Sequence, residues 1–179
     1  MVRPEVEPAV VLSQGQIAER VGQLGAEIAR DYDGREPVMV GILKGMFIFM
    51  ADLVRAIPIP LVVDFMAISR YGPTAKTKGV VRIVKDLDLS ITGRHVLFVE
   101  DIIDTGHTLD YLLEMLRTRG PKSLRVCCLL DKPSRREVEV RASWTGFEIP
   151  DEFVVGYGID FAQRNRNLPY IGKVRFPRG

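Results

Sequence analysis

The sequence predicts an α/β fold in which helices flank a mostly parallel central sheet. Short, nearly continuous apolar runs, typical of strands buried on both faces, alternate with segments of helical periodicity. The chain has 179 residues, which fits one domain with a single sizeable core. The predicted strands are residues 37–43, 57–69, 95–100, 123–131 and 152–158, with an edge strand or hairpin arm at 80–87. Ligands of such sheets bind beyond the carboxyl ends of the strands.

Three helices are predicted between these strands. The first covers residues 15–31, and the second, at 45–57, is expected to be almost wholly buried. The third precedes Gly120 and Pro121, which end it. The apolar face consists of Ile17, Val21, Leu24 and Ile28 in the first helix and of Leu109, Leu112, Leu113 and Leu116 in the third.

Composition excludes some classes of protein. The net charge is +2, too small by itself to indicate a nucleic-acid partner. No apolar run approaches the roughly 20 residues that span a bilayer, and the acidic, proline-rich start does not resemble a signal peptide. Cys127 and Cys128 are neighbours inside an apolar run, which indicates packing in a reducing compartment. We therefore expect a cytoplasmic protein with neither a membrane nor a nucleic-acid partner.

The stretch "VLFVEDIIDTGHTL", Val96 to Leu109, brings three carboxylates to the end of a predicted strand. Glu100 and Asp101 are adjacent, so their side chains diverge and suit successive sugar hydroxyls or a metal ion. Residues 104–108 predict a turn into a helix, whose N–H groups and dipole bind a phosphate. The pattern predicts a phosphorylated sugar as ligand. The alternative is a strand end with solvated acids and a Thr-capped helix. Asp104 could itself serve as an N-cap.

This stretch resembles the phosphoribosyl pyrophosphate (PRPP) signature of type I phosphoribosyltransferases. Further similar blocks are "LKG" (43–45), "RYG" (70–72), "LLDKPSRR" (129–136) and "EFVVGYGIDFAQRNRNLPYIG" (152–172), so the resemblance runs from about residue 36 to 170. Together they resemble the hypoxanthine-guanine branch of the family. The resemblance implies a single domain, 1–179, with a core of about 36–150 and a small hood from about 1–35 and 151–179.

The resemblance also implies roles for individual residues. Glu100 and Asp101 would meet the ribose hydroxyls and order Mg²⁺, and Asp160 would help hold a second Mg²⁺. The 5′-phosphate would be bound by Thr105, Gly106, His107 and Thr108, with the backbone of His107 mattering more than its ring. Pyrophosphate would be bound by the backbone of Leu43, Lys44 and Gly45, where the family has a cis peptide before the lysine, and by Arg166. Arg164 is a nearby competitor for the role of Arg166, and His95 is expected to be structural.

The resemblance also implies which residues contact the purine base. Asp104 would accept a proton near N7 of the base, and Lys132 would donate to the exocyclic O6. An ammonium has only donors, and so has the 6-amino group of adenine, so the resemblance implies that 6-oxopurines are accepted and adenine is refused. Phe153 would stack on the purine, Val154 would offer backbone groups to its edge, and Ile102 would pack on its other face.

One segment departs from the family pattern. The family usually carries Ser-Tyr in a mobile loop that covers the pyrophosphate, whereas this chain has Arg70 before Tyr71. Residues 70–79 contain Gly72, Pro73 and Gly79 and predict a long mobile loop. We expect Tyr71 and the backbone N–H of Arg70 to serve the pyrophosphate, while the role of the Arg70 side chain stays open.

Alternative functions remain at this point. Relatives of the family include regulators that sense PRPP and bind nucleic acid, although Asp104 and Lys132 are retained here. Pyrimidine or xanthine enzymes are further alternatives, and the contacts that separate xanthine from guanine lie largely in the backbone. The resemblance implies a homodimer or homotetramer.

Overall fold

The computed structural model describes residues 6–71 and 80–174. Its strands are β1 Val6–Leu12, β2 Val38–Leu43, β3 Val62–Tyr71, β4 Val80–Lys85, β5 His95–Ile103, β6 Ser123–Asp131, β7 Trp144–Glu148, β8 Val154–Val155 and β9 Ile171–Val174. Its helices are α1 Gln14–Asp31, α2 Phe47–Ala56 and α3 His107–Arg117, with a 3₁₀ turn at Pro133–Arg135. None of these helices is both long and apolar enough to cross a membrane.

The central sheet has six strands in the order β4-β3-β2-β5-β6-β7. Every pairing is parallel except that of β3 with β4, which is antiparallel. The carboxyl ends of β2, β5 and β6 therefore lie side by side at one edge of the sheet. The fold class predicted from the alternating pattern is confirmed.

Helices cover both faces of this sheet. The apolar faces of α1 and α2 bury Ile17, Leu24 and Phe49 against one side. The apolar face of α3 buries Leu112 and Leu116 against the other side. Each face thus has its own apolar cluster, as expected of a sheet whose strands are buried on both sides.

A second, antiparallel sheet of three strands, β1-β9-β8, joins the two ends of the chain. Leu12 pairs with Ile171, and the N–H of Val174 donates to the carbonyl of Phe153 at 2.8 Å. We call this three-stranded sheet, with the loops that join its strands, the hood. It packs on the α1 and α2 side, since Leu12, Val154 and Ile171 belong to the same apolar cluster as the faces of those helices.

The structure differs from the sequence prediction in several elements. Strand β5 continues to Ile103, because its partner β6 keeps pairing to Asp131. Helix α2 is only half buried: Phe49, Met50 and Leu53 face the core, whereas Phe47 is exposed. Strand β8 has two residues, because the backbone turns sharply at Gly156 and Gly158, both with positive φ. Strands β1, β7 and β9 were not predicted.

Candidate active site

The acids at the end of β5 point to opposite sides of the central sheet. Glu100 pairs with Cys128 and lies on the α3 side, where its charge helps to raise the pKa of the Cys128 thiol. Asp101 lies on the other side, where its carboxylate packs against the backbone of Gly45. The two acids therefore cannot grip one atom together, as the alternation of strand side chains predicts.

Asp101 is enclosed where three segments meet. A Cβ atom built on Gly45 would overlap its carboxylate oxygen, and the N–H of Ile102 donates to its Oδ1 at 2.8 Å. Burial raises the pKa of Asp101 to about 6, although backbone N–H groups and the charge of Arg166 act in the opposite direction. The negative charge of Asp160 adds to the rise. The site thus holds a carboxyl group that titrates close to neutrality.

The turn after β5 leads directly into α3. Gly106 has a φ of 91° and is the N-cap of α3, with no side-chain hydrogen bond to the helix. Asp104 is therefore not the cap, and the alternative interpretation of this residue is excluded. The positive φ favours glycine, and a Cβ here would also crowd Val138 and Val140. The backbone of residues 105–108 lies at the positive end of the α3 dipole.

Lys132 lies beside this turn on the neighbouring strand. The pairing of β5 with β6 brings Ile103 opposite Asp131, and the N–H of Lys132 then donates to the carbonyl of Ile103 at 3.0 Å. The side chain of Lys132 is buried, with a relative accessibility of 6% for the residue, and its Nζ lies 3.9 Å from Asp151. Asp104 and Lys132 therefore follow paired positions of adjacent strands.

Two arginines close to Lys132 contact Asp104, and no role was predicted for either from the sequence. The Nε of Arg135 donates to Asp104 Oδ1 at 3.0 Å, and its Nη1 donates to Asp151 Oδ2 at 3.3 Å. Arg136 donates to the backbone carbonyl of Asp104 at 2.7 Å and forms an ion pair with Asp131. The "SRR" that follows Lys132 could have drawn attention to these residues, but a pattern of letters does not show which carboxylate an arginine reaches.

The turn after β2 approaches the same edge of the sheet. The peptide bond between Leu43 and Lys44 is cis, as the resemblance implied. Lys44 is exposed, and its carbonyl accepts from the N–H of Phe47 at 3.2 Å as α2 begins. A Cβ built on Gly158 would overlap the carbonyl oxygen of Gly45. Gly45 is thus held between Asp101 and Gly158, and its contact with Gly158 was not predicted from the sequence.

Asp160 and Arg166 form an ion pair. The roles predicted for them from the sequence, in binding Mg²⁺ and pyrophosphate, were separate. Arg166 Nη2 lies 2.7 Å from Asp160 Oδ1, and Nη1 donates to the carbonyl of Gly158 at 2.7 Å. Both residues interact electrostatically with Asp101. Arg164 is exposed and exchanges backbone hydrogen bonds with Phe161. The structure thus brings Arg166, and not its competitor, close to the carboxylates.

The aromatic expected to stack on the purine lies at the edge of the hood. Phe153 precedes β8, is 45% exposed and meets Phe161 edge-to-face, with ring centroids 5.4 Å apart. Val154 is buried, and Ile102 is half-buried. The side chain of Phe153 is therefore partly accessible to solvent at this edge.

Both histidines bond to neighbouring strands or loops. His107 Nε2 lies 2.8 Å from Glu137 Oε2, with both side chains exposed, and His95 Nδ1 lies 2.7 Å from Ser123 Oγ. The ring of His107 is thus engaged with residue 137, while its backbone opens α3. His95 joins the start of β5 to that of β6, which fits a structural role.

The loop predicted to cover the site lies mostly outside the described residues. The backbone of Arg70 and Tyr71 belongs to β3, opposite Val81 and Val80 of β4. Residues 72–79 and the side chains of Arg70 and Tyr71 are not described. The roles expected of them remain predictions.

No group of three His, Cys, Asp or Glu side chains within residues 6–71 and 80–174 is arranged to hold a metal ion by itself. Mg²⁺ commonly keeps several waters and binds through one or two carboxylates together with substrate phosphates. Asp101, enclosed beside Asp160 and with a raised pKa, supplies such a carboxylate. The donor set therefore fits a metal ion that arrives with a phosphorylated substrate.

Comparison with known proteins decides the family. Residues 11–162 match the family described as "Phosphoribosyl transferase domain". The chain belongs to the phosphoribosyltransferase family. The resemblance predicted from the sequence is confirmed.

Relatives of this phosphoribosyltransferase align over nearly its whole length. It is 56% identical over 168 residues to the hypoxanthine phosphoribosyltransferase of Haemophilus influenzae, covering 92% of this chain and 94% of the relative. It is 48% identical over 175 residues to the hypoxanthine-guanine phosphoribosyltransferase of Bacillus subtilis, covering 98% and 97%. A crystal structure of a hypoxanthine-guanine phosphoribosyltransferase from Bacillus anthracis superposes with a TM-score of 0.91 at 47% identity, covering 96% and 100%.

Proposed function

We propose that this phosphoribosyltransferase transfers the 5-phosphoribosyl group of PRPP to hypoxanthine and guanine, releasing pyrophosphate. The observation that carries the proposal is the juxtaposition of Asp104 and Lys132. The ladder between β5 and β6 places an acceptor and a buried cationic donor at adjacent positions, next to the start of α3. A 6-oxopurine presents an N–H and a carbonyl oxygen on the corresponding edge, so the two groups complement it.

The phosphate, ribose and pyrophosphate groups of PRPP are assigned to residues along the same edge of the central sheet. The backbone of residues 105–108 and the hydroxyls of Thr105 and Thr108 bind the 5′-phosphate, because N–H groups and the dipole converge at the start of α3. Glu100 and Asp101 meet the ribose hydroxyls. The backbone of residues 43–45, together with Arg166, binds the pyrophosphate, with Tyr71 and the backbone N–H of Arg70 covering it.

The reaction makes one bond to C1 of the ribose and breaks another. A ring nitrogen of the purine attacks C1, and the bond from C1 to the pyrophosphate oxygen breaks with its electron pair leaving on pyrophosphate. The proton on N7 passes to the carboxylate of Asp104, which acts as a general base. Arg166 donates to the leaving group, whose charge suits a guanidinium fork.

Mg²⁺ is the proposed metal: Glu100 and Asp101 would order one ion through water, and Asp160 would help to hold a second. When bound, these ions would neutralise charge that develops on the pyrophosphate. The chain's own residues orient the reactants. Asp101 is fixed by Gly45 and by the N–H of Ile102, and Asp160 is fixed by Arg166 and by the N–H of Gln163 at 2.7 Å.

Base selection rests on Lys132, Phe153 and Val154. Lys132 is held at the base by its backbone bond to Ile103 and by Asp151, and its ammonium donates to O6. Phe153 stacks on one face of the purine, Ile102 packs on the other, and the backbone of Val154 contacts the purine edge. Adenine is refused, because its 6-amino group would leave two donors facing each other in a closed site.

The wider setting is part of the same proposal. We infer a single working domain, 1–179, that assembles as a homodimer or homotetramer in the cytoplasm. The proposed substrates are two small molecules, and Asp104 and Lys132 supply the acceptor and donor for the purine. The reaction therefore requires neither a nucleic acid nor a membrane as partner.

A direct assay of product formation tests the proposal. The purified protein is incubated with PRPP, Mg²⁺ and one base at a time (hypoxanthine, guanine, xanthine or uracil), and nucleotide and pyrophosphate are quantified by chromatography. We expect stoichiometric nucleotide and pyrophosphate from hypoxanthine and guanine, and none after chelation of the metal. Binding of PRPP without any product would favour a regulator, and product from uracil would favour a pyrimidine enzyme.

A further inference from the structure

Arg135 links the two groups assigned to the purine. Its guanidinium donates to Asp104 Oδ1 at 3.0 Å and to Asp151 Oδ2 at 3.3 Å. The other oxygen of Asp151 lies 3.9 Å from Lys132 Nζ. The four side chains thus form a row of alternating charge, from Lys132 through Asp151 and Arg135 to Asp104.

The backbone around Arg135 is fixed to the turn that carries Asp104. Arg135 ends a 3₁₀ turn, and its N–H donates to the carbonyl of Lys132 at 3.0 Å. The next two residues hold the turn directly: Arg136 donates to the carbonyl of Asp104 at 2.7 Å, and the N–H of Glu137 donates to the carbonyl of Thr105 at 3.0 Å. The guanidinium of Arg135 is therefore presented to Asp104 from a segment that is hydrogen-bonded to the same turn.

The contact with Arg135 orients the Asp104 carboxylate through one oxygen and leaves the other oxygen available. Asp104 does not cap α3, so no helix N–H orients its side chain. Arg135 occupies Oδ1, and no described side chain donates to Oδ2. One oxygen is thus held by a charged donor, in a contact between two partly exposed side chains, and the other is left to accept a proton from the base.

Asp151 lies between the two cations of the row and reduces their mutual repulsion. Without an anion between them, Lys132 and Arg135 would repel each other at the mouth of the purine site. Asp151 is shared between both, so Lys132 can point to O6 while Arg135 points to Asp104. Arg136 does not take part in this arrangement, because it donates to the backbone of Asp104 and pairs with Asp131.

We propose that Arg135 is a positioning residue of the reaction: it orients the Asp104 carboxylate toward N7 and is itself held in place by Asp151. The inference rests on the proposed role of Asp104 as proton acceptor. It predicts that Arg135 matters only as long as residue 104 carries a carboxylate. A salt bridge that merely stabilised the loop would also change the KM for PRPP, because the turn assigned to the 5′-phosphate is held by the same segment.

A double-mutant cycle in the intact protein tests this dependence. The kcat and the KM for hypoxanthine and PRPP are measured for the wild type, Arg135→Gln, Asp104→Asn and the double variant. We expect Arg135→Gln to lower kcat about tenfold, as for the loss of one charge-assisted bond, with the KM for PRPP unchanged. In the Asp104→Asn background the same change should alter kcat less than about twofold, because the two residues act as a unit.

Two further variants complete the design. Arg135→Lys keeps the charge but not the planar fork, so it should recover part of the lost kcat. Arg141→Gln is the matched control, because Arg141 lies in the same connection but is 86% exposed and pairs only with Glu139 among the described residues. It should keep the kcat of the wild type.

The outcomes separate this inference from the proposed function. If Arg135→Gln lowers kcat equally in both backgrounds, or leaves it unchanged or raised while Asp104→Asn is impaired, Arg135 does not position Asp104 and only this inference fails. If Asp104→Asn itself keeps the wild-type kcat, the proposed role of Asp104 fails and the positioning role fails with it.

Discussion

The carboxylate of Asp101 packs against the α-carbon of Gly45, so closely that a Cβ on that glycine would overlap its Oδ2. Gly45 is held on its other side by Gly158, whose own Cβ would overlap the carbonyl of Gly45. The ends of two neighbouring strands and the hood loop thus meet at a point where side chains are excluded. We infer that the metal-binding and pyrophosphate-binding parts of the site share this contact.

Gly45→Ala should therefore displace Asp101. Overpacking of this kind costs about 1–3 kcal/mol, so we expect the affinity for PRPP with Mg²⁺ to fall about 10- to 100-fold. Calorimetric titration of PRPP measures the change. Gly15→Ala is the control, because Gly15 lies in α1 with open space around it, and it should bind PRPP as the wild type does. Unchanged affinity in Gly45→Ala would mean that Asp101 can move without consequence.

The raised pKa of Asp101 predicts a titration near neutrality. In the free protein the carboxyl group should lose its proton around pH 6, since burial favours the neutral form. A metal ion binds the ionised form, so PRPP with Mg²⁺ should lower this midpoint. Carbon-13 NMR of the aspartate carboxyl groups measures both, and Asp101→Asn identifies the resonance. A midpoint in the free protein close to that of an exposed aspartate would contradict the enclosed site.

Asp104→Asn should separate binding from catalysis. The amide keeps the shape of the side chain but accepts a proton poorly, so kcat should fall about 10²- to 10⁴-fold, the usual range for a general base. The affinity for PRPP should stay within about twofold of the wild type, because the 5′-phosphate is assigned to the backbone of residues 105–108 and to threonine hydroxyls, and not to this carboxylate. Rapid-quench measurement of the first turnover isolates the chemical step. A loss of PRPP binding with normal turnover would instead make Asp104 a structural residue of the phosphate turn.

Replacing Asp64, which lies away from the candidate site, should change the stability of the fold and not the reaction. This buried carboxylate accepts from the N–H groups of Phe65, Asp88 and Leu89 at 2.7, 2.9 and 3.0 Å, and lies 3.8 Å from Lys85. Asp64→Asn would turn a donor toward these groups, so the free energy of unfolding should fall by about 1–3 kcal/mol. Urea denaturation at fixed protein concentration measures it.

Asp33→Asn is the control for that variant, because Asp33 is exposed beyond the end of α1. It should leave the midpoint of unfolding unchanged. Equal stability of Asp64→Asn and the wild type would show that the connection from β4 to β5 does not depend on this carboxylate. Any change in kcat should be small in both variants, since neither side chain contacts the candidate site.

The family and the central sheet could be predicted from the sequence, because both depend on local patterns of residues. The order of apolar strand, acids and turn from Val96 to Thr108 is contiguous, and so is the helical face that includes Leu112 and Leu116. The buried runs also placed Glu100, Asp101 and Lys132 at the correct ends of β5 and β6. Period and spacing alone suffice for such features.

The missed features depend on contacts between distant segments. Strand β9 is stabilised by pairing with β1 from the other end of the chain, and no local pattern reports such a partner. The bond from Arg135 to Asp104 joins residues 31 positions apart. Gly158 approaches Gly45 only because the hood folds onto α2. Strand β8 shrank to two residues because positive φ values at Gly156 and Gly158 break the apolar run.

We expect Lys132, beside Asp104, to select a 6-oxopurine, and the ratio of kcat/KM for hypoxanthine to that for adenine measures this selection. Both values are measured with the same preparation at saturating PRPP and Mg²⁺. Lys132 is buried and has only donors, so adenine would leave unpaired donors in a closed site, and we predict a ratio of at least about 10³. A ratio near one would contradict the assignment of Lys132 and, with it, the proposed substrate class.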